Sequence, residues 1–228
     1  MHLKVDAKYF GRWGCVIVFK EGKNIVFWQF CNRENYRNYL VSFSKFMELG
    51  FIVKSVTSDK NGSLVAAVKT FYPSIPHQYC TVHIQRKCQT LLTKNPETSA
   101  GVDLLELTRF INKIKSENDK EIFLKWVDRY EKRYEKFLKQ RTYATETNPN
   151  KKWWYTHKNV RTAFRHIKLS TNNMFFFLEN NQISKDTNGL EAEFTHLKQK
   201  INSHRGLTRD RQENFVNWYW FFKSIYEK

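Results

Sequence analysis

Three acidic residues stand where elements of this chain meet. Asp6 closes a short apolar start, Asp59 follows the β-rich run 51–57, and Glu191 opens a late helix in the run Thr187-Asn188-Gly189-Leu190-Glu191. In an open α/β sheet, strand ends and helix starts converge at the carboxyl edge, where ligands bind. A fold that gathers three carboxylates there can hold a divalent cation, because Mg²⁺ takes a few hard oxygen ligands and completes its shell with water and phosphate. A lone Asp after a strand is more often a turn former or a helix cap. The weight therefore falls on the three together, on their order and on the basic surround.

That surround is pronounced. Lys and Arg number 39 against 22 Asp and Glu, a formal charge of +17 in 228 residues. Such an excess repels itself unless a polyanion neutralises it, and nucleic acid is the usual polyanion. A membrane surface is the rival partner, but no run approaches the roughly 18 apolar residues of a spanning helix. Met1 leads almost directly into a charged strand, so no cleavable leader is expected. The expected location is the cytoplasm, beside the nucleoid. The four cysteines, Cys15, Cys31, Cys80 and Cys88, form no Cys-x-x-Cys pair and read as reduced thiols.

Along the chain, 2–7 reads as a strand, and 12–20 and 25–30 as a hairpin around Glu21-Gly22-Lys23-Asn24. Asn32 is the expected cap of a helix carrying Tyr36, Tyr39, Leu40, Phe43, Phe46 and Met47 at three-four spacing, stopped by Gly50. A buried strand at 51–57, a short helix at 62–70 and a fifth strand at 75–82 follow. From His83 to about Ser184 the chain is charged and helical, with a long amphipathic helix over 119–141 whose apolar face is Ile122, Phe123, Trp126, Val127, Tyr130 and Phe137. Two helices, near 188–203 and 208–226, end it. The expected fold is α/β: a mixed five-stranded sheet flanked by helices, with an all-helical insertion before the helix that bears Glu191. The expected divisions are 1–90 and 185–228 for the core and 91–184 for the insertion.

The runs Val5-Asp6-Ala7-Lys8-Tyr9, Thr57 to Gly62, His77 to His83 and Thr187 to Glu191 together resemble bacterial insertion-sequence transposases of the mutator-like type. The likeness runs from Val5 to the C-terminus. Each motif is weak alone, and four in this order, with a long helical stretch before the Glu, are fairly specific. The resemblance implies a DDE catalytic core on a ribonuclease H-like fold, with Asp6, Asp59 and Glu191 as catalytic metal ligands for Mg²⁺, or Mn²⁺ as a substitute. In such enzymes water cuts one strand at the element end, and the freed 3′-hydroxyl attacks target DNA. Element ends and target DNA are then the partners, held by a homo-oligomer formed on DNA. Ala7 stands where that family usually has Gly, a mild departure that keeps a small residue. A complete enzyme of this type also carries an end-reading region ahead of the first Asp.

Glu193 rivals Glu191 for the third position. Two residues along a helix turn about 200°, so both cannot face one site. The Thr-Asn-x-x-Glu spacing favours Glu191 and leaves Glu193 in solvent. Cys80 and His83 invite a zinc reading, but no second pair stands at suitable spacing, although Cys88 and His77 could be recruited. The resemblance instead implies that Cys80 and His83 support the core near the active site, where His83 either approaches a phosphate or carboxylate or is a satisfied core histidine.

Basic candidates for DNA contact are Arg86 and Lys87 after His83, Lys198 on the Glu191 helix, Arg205 beyond it, and Lys151 and Lys152 beside Trp153. Mixed basic and aromatic residues suit a groove with a stacking or wedging side chain; solvated charge and ordinary packing are the plainer alternatives. Two other functions fit the same sequence: a DNA-binding relic without catalysis, and a different ribonuclease H-like nuclease.

Overall fold

The computed structural model describes residues 1–11, 14–144, 152–204 and 206–226. The chain divides into two compact units, one made of Met1–Cys80 with Asn180–Lys228 and the other of Thr81–Glu179.

The first unit is built on a mixed sheet of five strands, β1 (His2–Tyr9), β2 (Cys15–Glu21), β3 (Asn24–Cys31), β4 (Ser55–Ser58) and β5 (His77–Tyr79), in the order β3-β2-β1-β4-β5. The hairpin β2–β3 turns at Gly22, whose φ of 53° favours glycine. β1 pairs antiparallel with β2 and parallel with β4, and β4 pairs parallel with β5. The run Val16–Phe19 on β2 is buried throughout because both faces of the sheet are covered.

On one face Leu3, Val5, Ile17, Phe19 and Val56 pack with α1 (Tyr36–Met47) and α2 (Gly62–Phe71), through Tyr39, Phe43, Phe46, Leu64, Ala67 and Val68. On the other, Val16, Val18 and Ile25 pack with α8 (Asn188–Ser203) and α9 (Arg209–Tyr226), through Leu190, Phe194, Leu197, Val216 and Trp220. Together the two faces make the α/β, helix-flanked sheet that the sequence pattern predicts.

The second unit carries α3 (Thr81–Leu92), α4 (Ser99–Phe110), α5 (Glu117–Lys139), α6 (Lys158–Lys168) and α7 (Phe176–Glu179). It is not all-helical. β6 (Arg141–Tyr143) and β7 (Trp153–Tyr155) pair antiparallel, with Arg141 opposite Tyr155 and Tyr143 opposite Trp153. The triplets, Arg-Thr-Tyr and Trp-Trp-Tyr, are too short to show a period. The Arg141 guanidinium lies 4.0 Å from the Trp153 ring centre and that of Arg161 lies 3.8 Å from Tyr155, cation–π contacts that brace the ribbon.

α5 starts at a capping box, Ser116 with Asp119, and buries Phe123, Val127, Tyr130, Tyr134 and Leu138. Trp126, expected on that apolar face, is 40% exposed, and its ring lies tilted against that of Phe110, with centres 4.9 Å apart.

Candidate active site

Asp6 lies within β1 rather than at its end, three residues before Tyr9. It nevertheless meets the carboxyl end of β4, because the last partners of the parallel ladder are Val5 and Ser58. Asp6 and Asp59 are the next residues on these neighbouring strands, and adjacent strands run about 4.8 Å apart. Side chains alternate along a strand, and Val5 packs toward α1 and α2, so Asp6 stands on the opposite face. Its register partner Val18 belongs to the core under α8 and α9. Asp6 Oδ1 accepts the Ala7 amide at 2.8 Å, and Asp59 Oδ1 accepts the Asn61 amide at 3.2 Å. Asn61 in turn caps α2, taking the Ser63 amide at 2.9 Å. Each carboxylate thus accepts a backbone amide one or two residues further along the chain.

The chain returns to this edge through 180–187. It runs from the start of β1, where the His2 ring bonds Gln182 Oε1 at 3.0 Å, to the end of β4, where Thr57 Oγ1 donates to the Ser184 carbonyl at 2.9 Å. The start of α8 is then fixed by Thr187, whose amide donates to Cys80 Sγ at 3.4 Å and whose hydroxyl donates to the same sulfur at 3.5 Å. Glu191 sits half-buried in the first turn of α8, where the positive end of the helix dipole favours a carboxylate.

Glu193 is buried and not in solvent, contrary to what the spacing predicts; it is 9% exposed. Lys20 Nζ donates to Glu193 Oε1 at 3.0 Å, and Lys223 donates to Oε2. Burial pushes the Glu193 carboxyl up, but hydrogen bonds from Lys223 and Lys20 outweigh it and hold the group below the usual carboxylate range. Both oxygens are thereby taken by ammonium groups, and Lys20 also donates to the Gly189 carbonyl at 3.2 Å. A lysine at the end of the apolar strand β2 was the sequence signal for this pair, since a buried charge requires a partner.

Two more residues at this edge escape a reading from motifs. The Tyr39 hydroxyl, fully buried, donates to Glu34 Oε1 at 2.6 Å. Burial pushes the phenol up, and the charges of Glu34, Asp59 and Asp6 push it further. Burial raises Glu34 too, against the Tyr39 hydrogen bond and with the added charge of Asp59. Asp6, Asp59 and Glu34 therefore share one electrostatic neighbourhood. Beneath it, His77 is buried and bonded to Ser58 Oγ at 2.8 Å, and burial pushes its pKa down to about 4.

The donor chemistry of Asp6 and Asp59, two hard carboxylates on adjacent strands, suits a divalent cation. A three-ligand cage is not assembled: among the described residues no group of three or more His, Cys, Asp or Glu could hold a metal ion. This covers the zinc combination of Cys80, His83, Cys88 and His77 as well. Cys80 closes the first unit, and His83 lies half-buried in the first turn of α3 in the second. Of the basic candidates, Lys198 is exposed on α8, and Arg86 and Lys87 are exposed on α3. Lys152 is exposed ahead of Trp153, whose ring is under Arg141. Lys151 and Arg205 lie outside the described residues.

A mixed sheet flanked by helices, with Asp6 and Asp59 side by side where two parallel strands stop pairing and Glu191 on a helix packed against the sheet, fits an insertion-sequence transposase. Residues 20–202 match the family described as transposase IS66, and the chain belongs to that family. The match is to IS66 rather than to the mutator-like type that the motifs resemble. Asp59 and Glu191 fall inside the matched span, and Asp6 lies ahead of it. Membership implies a DNA partner, and a DDE enzyme implies divalent metal. No curated protein matches the chain. Among the described residues no helix is long and apolar enough to cross a membrane.

Proposed function

We propose that this chain is the catalytic core of a DDE transposase, which cuts a DNA strand and joins the freed 3′-hydroxyl to target DNA, with Asp6, Asp59 and Glu191 as its carboxylates. The observation that carries the reading is the parallel pairing of β1 with β4, with Val5 opposite Ser58 immediately before the two aspartates. Asp6 and Asp59 would hold Mg²⁺, or Mn²⁺ in its stead, and Glu191 is the third candidate ligand. A divalent ion there supplies charge neutralisation at the phosphate and a more acidic water.

The protein's own contribution is positional. The backbone amides of Ala7 and Asn61 orient the two aspartates. Cys80 fixes Thr187 and with it the first turn of α8, so that Glu191 enters from a braced helix end. The ion pairs of Glu193 exclude it from the ligand role and tie α8 to β2 and α9. Lys198, Arg86, Lys87, Lys152 and Trp153 are the candidate DNA contacts, with Cys80 and His83 in support. The double engagement that transposition requires makes a homo-oligomer on DNA the working form.

The test is Asp59→Asn on DNA carrying element ends. Strand cleavage is expected to be lost, while DNA affinity stays the same or tightens because one negative charge is gone. Cleavage equal to that of the natural chain would overturn the assignment. Loss of DNA binding together with cleavage would show instead that Asp59 holds the fold.

A further inference from the structure

The cysteine pair at the hairpin base has no part in the phosphodiester chemistry. Cys15 begins β2 and Cys31 ends β3, and they are direct register partners across the antiparallel ladder. Their sulfurs lie 3.3 Å apart with no disulfide between them. Direct antiparallel partners have Cα atoms about 4.5 or 5.5 Å apart, both within the span a disulfide bridges. Closing the bond therefore requires side-chain rotation and no rearrangement of the strands.

The two thiols are unequal. Cys15 is fully buried, whereas Cys31 is half-buried at the strand end. The Cys31 thiol donates to the Arg33 carbonyl at 3.5 Å, which leaves Cys15 to donate to the Cys31 sulfur. That bond lowers the Cys31 pKa and raises that of Cys15. The surroundings are tightly packed. A side chain on Gly14 would meet the Cys31 carbonyl oxygen at 2.4 Å, so the Gly14 backbone is pressed against the end of β3. The arrangement is a reachable sulfur with a buried one directly behind it.

We propose that Cys15 and Cys31 form a redox-active dithiol that a small-molecule disulfide closes by thiol–disulfide exchange. The Cys31 thiolate attacks one sulfur of the oxidant, forming a mixed disulfide and releasing the other half as a thiolate. The Cys15 thiolate then attacks the Cys31 sulfur, closing the cross-strand bond and expelling the second half. The two protein thiols lose two protons and two electrons, and the oxidant is reduced to two thiols.

The experiment treats the full natural chain, folded, with oxidised glutathione, then quenches in acid and reads intact mass and peptide maps. The expected product lacks two hydrogen atoms, carries no adduct on this pair, and joins the peptides of Cys15 and Cys31. Dithiothreitol should restore the original mass. In Cys15→Ala, a glutathione adduct should persist on Cys31, and in Cys31→Ala, Cys15 should stay unmodified. A lasting adduct on Cys31 of the natural chain would overturn the proposal. So would failure of both thiols to react while the urea-unfolded chain reacts. The natural-chain map decides the question even if either variant fails to fold.

Discussion

At the scale of single residues, Glu191 and Glu193 separate into two roles. Lys20 and Glu193 are 6% and 9% exposed, and the pair spans β2 and α8. A buried pair does little for stability against an apolar substitute, but removing one partner strands a charge at a cost of about 3–5 kcal/mol. Glu193→Gln should therefore lower the unfolding free energy by about that much, and Glu191→Gln by under about 0.5 kcal/mol as a part-exposed change. Urea denaturation of the two variants measures the contrast. Equal losses would mean that Glu193 is not the structural carboxylate. The sign with pH follows from the depressed Glu193 carboxyl. The folded state binds the proton more weakly than the unfolded chain, so the contribution is complete above the unfolded value of about 4.3 and is lost as pH falls through the lower folded value. The gap between the natural chain and Glu193→Gln should close in acid and stay open at neutral pH.

At the scale of elements, α1 begins at Asn35 and not at Asn32. The Asn35 side chain accepts the Asn38 amide at 2.9 Å, and Asn32 instead receives a hydrogen bond from Arg209. Asn35→Ala should cost about 1 kcal/mol, as loss of an N-cap does, and Asn32→Ala should stay within about 0.5 kcal/mol. Thermal melts of the two variants check this, and the reverse ranking would move the cap. Both residues have the right chemistry three positions apart, so composition could not choose between them. Long elements with a strong period were legible: α1, α2, α5, α8, α9 and the β2–β3 hairpin emerge within a few residues of their expected bounds. Short ones were not. β4 is four residues rather than a run from 51, since Phe51 and Ile52 are 43% and 80% exposed. β5 is three residues, because Thr81 already begins α3. The adjacency of Asp6 and Asp59 follows from the parallel pairing of β1 and β4, although Asp6 lies within its strand and not at its close, whereas the Lys20–Glu193 pair and the Tyr39–Glu34 bond join residues far apart or outside any motif.

At the scale of the whole molecule, the dominant property is a charge of +17. Only exposed groups can meet phosphate, and the ion pairs reduce their number. Lys20 and Lys223 are taken by Glu193, and Lys168 is held by Glu131 at 2.5 Å. Lys198 on the first unit and Arg86, Lys87 and Lys152 on the second are solvent-exposed. Each cation that neutralises a phosphate releases condensed counterion, so affinity falls with salt in proportion to the number of contacts. With 6–10 contacts the loss between 50 and 200 mM salt is about 10³–10⁵-fold, and this chain should fall within that range on duplex DNA. The joint variant Arg86→Ala and Lys87→Ala should reduce the slope of log affinity against log salt by about 2, and Lys198→Ala by about 1. Fluorescence anisotropy across a salt series gives both numbers. A flat response in the natural chain would exclude the phosphate backbone as what this charge meets. A steep response unchanged in the variants would move the interface to other cations, because the slope counts contacts and each substitution removes a known number of them.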